Sequence, residues 1–159
     1  MNLPQQVATH FRTFYIGGNW TDVNLKDSLE GVTWQQATTS IFSCNTMAVL
    51  IYHMNYYVRI VTKVLEGHPL DGHDKDSFNA PPVQSAEDWE QLKNSVFTEA
   101  ETFAKLIEQL PVDKFDEIFQ SEKYGNYYRN MHGIIEHNHY HLGQIVLLKK
   151  IMGEIQPKA

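Results

Sequence analysis

The sequence has a single cysteine, Cys44, among 159 residues. That excludes a disulfide framework and any cysteine-rich zinc site within one chain. Basic residues are also scarce: 13 Lys and Arg stand against 19 Asp and Glu, for a formal net charge of −6. A duplex nucleic-acid binder neutralises phosphates with clustered Lys and Arg. Here the densest basic run is the pair Lys149-Lys150. Long apolar runs are missing too. Residues 47–64 are the most apolar stretch, and His53, Asn55 and Arg59 interrupt it. No segment reaches the ~18 apolar residues needed to span a bilayer. The start, Met1-Asn2-Leu3-Pro4-Gln5-Gln6, carries no basic region ahead of an apolar one, as a secretory signal would. Sequence repeats, low-complexity tracts and β-type alternation are absent. These deficits predict a cytoplasmic protein without nucleic-acid or membrane partners. The length predicts one domain over residues 1–159, with a core that needs no disulfide.

What the sequence does have is helical periodicity. Val7, Phe11, Phe14 and Tyr15 recur at helical spacing behind Pro4, and Gly17-Gly18 stops that helix. Residues 19–39 are mixed, with a short helical turn predicted within 24–31 and closed by Gly31. A long helix is expected over 41–66, ended by Gly67 and Pro69. Residues 68–86 hold three prolines and several aspartates and read as a loop. Ser85 is a good N-cap, and Asp88 three residues on resembles a capping box; the helix they open runs to Leu110 before Pro111. After a short segment at 112–119, Gly125 precedes a last long helix over 126–152. The fold class is therefore all-α, a four-helix bundle. The loop at 68–86 can reach roughly 60 Å when extended. The helix before it is roughly 39 Å long. A long crossover between helices 2 and 3, leaving those helices parallel, follows as an expectation.

The eight histidines separate by helical phase. His137 and His141 are one turn apart, so both lie on the stripe Ile134, His137, His141, Ile145, Leu148, Met152. Two imidazoles so spaced can hold one metal ion. Alone, the pair reads equally well as two hydrogen-bonded core histidines. His53 lies on the apolar stripe Thr46, Leu50, His53, Tyr57, Ile60, Val64. It is about halfway along its predicted helix, as His137 and His141 are along theirs. If those helices pack with ends aligned, three imidazoles meet at mid-bundle, where without a metal their nitrogens would be hard to satisfy. A three-histidine metal site with an open position is the simpler reading.

The remaining chemistry is thin. Glu136 and His139 form half of a di-iron motif, but no second half occurs and both point away from the apolar stripe. With His132 they read as surface or interface residues. His10 reads as structural, and His68 and His73 as solvated loop residues able to line a pocket mouth. Cys44 reads as a buried apolar cysteine. The aromatics Trp34, Tyr124, Tyr127 and Tyr128 read as packing residues.

The segment His137-Asn138-His139-Tyr140-His141-Leu142-Gly143-Gln144-Ile145, together with His53 on an earlier helix, resembles the DinB/YfiT-like superfamily of metal-binding four-helix bundles. Tyr140, Gly143 and Gln144 match its H-x-x-Y-H-x-G-Q-[IL] pattern, and the long crossover fits as well. The resemblance implies that His53, His137 and His141 ligate a divalent metal, commonly nickel or zinc. It implies thiol S-transfer, with a low-molecular-weight thiol co-substrate and a small-molecule electrophile. A metal-dependent hydrolase activating water is the alternative, and a non-catalytic metal or small-ligand binding bundle is another. It also implies a homodimer. Gln144 and Tyr57 are candidates to support the metal or line its pocket, and equally to be plain packing residues.

Overall fold

The computed structural model describes residues 1–155, in which helices are the regular secondary structure and no strand forms. In chain order come α1 (Leu3–Ile16), α2 (Leu25–Leu29), α3 (Trp34–Thr38), α4 (Met47–Leu65), α5 (Ala86–Gln109) and α6 (Tyr127–Ile155). Single 3-10 turns lie at Asp74–Asp76, Val112–Asp116 and Glu122–Tyr124. No helix among the described residues is long and apolar enough to cross a membrane.

Local chemistry explains the helix starts. The Asn2 side chain accepts from the Gln5 backbone while the Gln5 side chain caps Asn2 in return. Ser85 accepts from the backbone of Asp88 at 3.1 Å. The Asp88 carboxylate reaches back one residue further than a capping box requires, to the Gln84 backbone at 2.9 Å.

The expected second long helix begins later than its apolar pattern suggests, at Met47 behind an N-cap at Thr46. Residues 41–44 form a turn instead, with Phe42 in the left-handed region at φ 51°. Ile41 alone turns inward there. Cys44 is exposed, contrary to the expectation of a buried apolar cysteine, because the helical phase that would have buried it does not extend that far. The short helix α3 was not anticipated within the mixed stretch; the Thr33–Gln36 capping box starts it.

The long helices pack mainly as α1 on α5 and α6, and α4 on α5 and α6. The buried apolar side chains of all four form one connected core. Phe11 of α1 meets Phe103 of α5 edge-on, at 4.9 Å between ring centres. Beside them the Arg12 guanidinium pairs with both Glu101 and Glu108 of α5. Those hydrogen bonds hold both carboxyls below the usual carboxylate range and raise the Arg12 pKa further. The Trp89 indole N–H donates to the Val32 carbonyl at 2.9 Å, tying the start of α5 to the chain ahead of α3.

The linker between α4 and α5 positions the functional site. Its residues meet α4 in broadly reverse order. Gly72 lies against Ile60, His73 brackets the Tyr56 hydroxyl through its backbone, Asp74 accepts from Tyr57, and Ser77 reaches His53. A Cβ on Gly72 would lie 2.2 Å from Ile60 Cδ1, so any larger residue there would require the Ile60 side chain to shift. No tight hairpin joins α4 to α5.

Candidate metal centre

The structure brings His53, His137 and His141 together, with one ring nitrogen from each within 4.8 Å of the others. His53 lies in the second turn of α4 rather than halfway along it, because that helix begins at Met47. The level therefore matches for a different reason from the one the sequence suggested. His53 and His141 are buried, and His137 is half-buried.

The nitrogens meet in a defined way. His137 Nε2 is 3.1 Å from His53 Nε2 and 3.1 Å from His141 Nε2. The outer nitrogens of the two flanking rings are committed elsewhere. His141 Nδ1 lies 2.7 Å from Gln144 Oε1, which can only accept, so this Nδ1 carries the proton. His53 Nδ1 lies 2.9 Å from Ser77 Oγ, and that hydroxyl already donates to the Asp74 carbonyl at 2.6 Å. Ser77 therefore accepts, and His53 is likewise protonated at Nδ1. Both rings then turn an Nε2 lone pair on His137 Nε2, which can donate to at most one of them.

Burial keeps two of the rings neutral. Burial, reinforced by the neighbouring His141, pushes His53 and His137 down to about 4. At neutral pH they are uncharged, which is the form that ligates metal. Converging lone pairs without a proton between them repel, and a cation at their meeting point removes that conflict. The donor set suits a divalent ion bound by three imidazoles with a position left open. No carboxylate belongs to the set, so the ligands would leave the full charge of the ion in place. His137 Nδ1 is buried without a hydrogen-bond partner, and so is the adjacent Asn138 Oδ1.

Gln144 supports His141 directly. Tyr57 presents its ring edge-on to His137 at 4.9 Å and donates its hydroxyl to Asp74 Oδ1 at 2.7 Å. Burial and this carboxylate raise the pKa of the phenol. Sequence reasoning did not find Ser77, Asp74 or Phe78. Ser77 is fully buried, and Phe78 stacks on the His53 ring at 3.9 Å. No motif marks them; the retracing of α4 by the linker is the signal that would have pointed to them.

The other histidines lie apart from this group. His10, His132 and His139 gather between α1 and α6, with His10 at 5.9 Å from His132 and 6.3 Å from His139 between ring centres. His139 is half-buried against Phe14. His132 lies 3.6 Å from the exposed Glu136. His73 is exposed at the edge of a cavity beside the site, and His68 is exposed in the linker. No family model, curated protein or solved structure matches the chain.

Proposed function

We propose that His53, His137 and His141 hold one divalent metal ion, nickel or zinc, in a metal-dependent enzyme. Its reaction is transfer of a low-molecular-weight thiol to a small electrophile. The observation that carries the metal reading is the meeting of three Nε2 atoms whose flanking rings are fixed as Nδ1–H tautomers by Ser77 and Gln144. A divalent ion supplies acidity there, lowering the pKa of a thiol or water that shares the site.

The protein's own groups do the rest. Ser77 and Gln144 aim the imidazoles of His53 and His141, burial keeps His53 and His137 neutral, and Phe78 covers one face of His53. Tyr57 forms the wall next to His137. Cys44, the single cysteine, is exposed ahead of α4 and outside the histidine group. A reacting thiol would therefore arrive on a diffusible molecule.

The packing of the long helices and the retracing linker support a four-helix bundle with a crossover between α4 and α5. They support with it the DinB/YfiT-like relationship, and a homodimer is proposed on that relationship alone. The test is metal analysis of purified protein, followed by incubation with a thiol panel and a haloaromatic electrophile. One equivalent of metal and a thioether product are expected. Absence of metal overturns the site. Product formed without thiol assigns the hydrolase, and metal without any product assigns a binding module.

A further inference from the structure

A cavity of about 710 Å³ opens beside the histidines, bounded by α4, the linker and the first turns of α6, with His137 on its wall. That size accommodates a small organic molecule. Its body is apolar and aromatic, formed by Tyr57, Ile60, Phe119 and Ile134. Its charge runs against that of the chain. In a protein of net charge −6, the cavity is lined by three cations, Lys75, Lys123 and Arg129, and one carboxylate, Asp74. Asp74 is engaged by the Tyr57 hydroxyl. None of the three cations has a carboxylate partner among the described residues, whereas Arg12, Arg59, Lys63, Lys93, Lys105 and Lys114 each have one.

Arg129 is also placed. Gly125, at φ 72°, brings its backbone so close that a Cβ there would lie 3.0 Å from Arg129 Cδ. The arginine stem lies along that turn, in the first turn of α6, where the helix dipole is positive as well.

We propose that this cavity binds a small aromatic or apolar carboxylate, its anionic end on Arg129 and its body directed along the aromatic wall toward His137. Guanidinium and carboxylate match as planar forks. Asp74 in the same wall disfavours a dianionic phosphate. As the electrophile pocket of the proposed enzyme, this inference rests on the metal reading; as an anion site it can be tested separately.

The test compares 2-naphthoate, its neutral amide and 2-naphthyl phosphate by calorimetry, on metal-loaded and on chelator-stripped full-length protein. The carboxylate is expected to bind about tenfold tighter than the amide, the size of one charge-assisted hydrogen bond. It should also bind tighter than the phosphate, and the preference should survive metal removal. Arg129→Gln should erase the preference, with melting temperature and metal content unchanged because Arg129 is exposed. Gly125→Ala should weaken it by displacing the arginine stem. Equal affinities, no saturable binding, tighter phosphate binding or a preference intact in Arg129→Gln would each overturn the proposal. So would a preference that vanishes with the metal, which would put the carboxylate on the ion. A protein that takes up no metal yet keeps the Arg129-dependent preference would defeat the metal reading alone.

Discussion

Two groups of three histidines lie on different faces of α6, and they differ in what their outer ring nitrogens do. In the inner group, His53 and His141 donate Nδ1–H to Ser77 and Gln144, on the linker and on α6. Their Nε2 atoms are thereby left facing His137. In the outer group, His139 donates Nδ1–H to the Ile135 carbonyl of its own helix, and His132 lies 3.6 Å from Glu136. Those rings gather, but no set of their nitrogens converges as the inner set does. Number, residue type and helix are shared. The acceptors behind the rings separate a candidate metal site from a histidine-rich surface.

The strongest test of this contrast is to remove one ligand from each group. His137→Ala should abolish metal uptake, and His139→Ala should leave one equivalent bound, as read by metal analysis after dialysis. Uptake lost in both variants would erase the distinction. The acceptors come next. Ser77→Ala should lower metal affinity by about 10–100-fold, measured by competition with a chelator. Unchanged affinity would deny the Ser77 contact any role.

Stability should also separate the groups. Free metal at a hundred times its Kd stabilises a folded state that alone binds it by about 2.7 kcal/mol. For a chain of this size that is a rise of roughly 5–10 °C in Tm, lost on adding chelator. In the metal-free protein the inner rings should still leave a pH signature. The pKa values of His53 and His137 lie near 4 when folded, below the ordinary value of about 6.5, so the unfolded chain takes up protons first as pH falls. Stability from this source is complete above pH ~6.5 and is lost between there and pH ~4. Thermal melts across that range should show the loss, and His137→Ala should flatten it. The smallest effect belongs to the outer group. His10 is held below its ordinary pKa by partial burial and by His132 and His139. His10→Ala should change stability by no more than about 0.5 kcal/mol, as befits an exposed position.

Helical phase made much of this legible in advance. The stripe through Ile134, His137, His141, Ile145, Leu148 and Met152 is buried, apart from partly open His137, and Met131, Ile135, Asn138 and Leu142 widen the buried face of α6 beside it. Gly17, Ser85 and Pro111 marked helix ends by elementary backbone chemistry. Phase could not reveal where α4 begins, because Ile41 is apolar and in register while the chain turns at Phe42. That error cost Cys44 its predicted burial. The linker was the least legible part. Its aspartates and prolines look solvated, and only the three-dimensional path past Tyr56, Tyr57 and His53 shows Ser77 as a buried partner of the site.

Asp74 has two jobs. Its backbone carbonyl receives the Ser77 hydroxyl that fixes His53, and its carboxylate receives the phenol of Tyr57 in the cavity wall. A ligand that shifts Tyr57 therefore tugs on the residue that sets the aim of His53. Linkage makes such a connection reciprocal: whatever factor the metal adds to ligand affinity, the ligand must add to metal affinity. Binding isotherms for each partner, taken with and without the other, should give one and the same factor. Asp74→Ala, which removes the carboxylate and keeps the carbonyl, should bring that factor toward one.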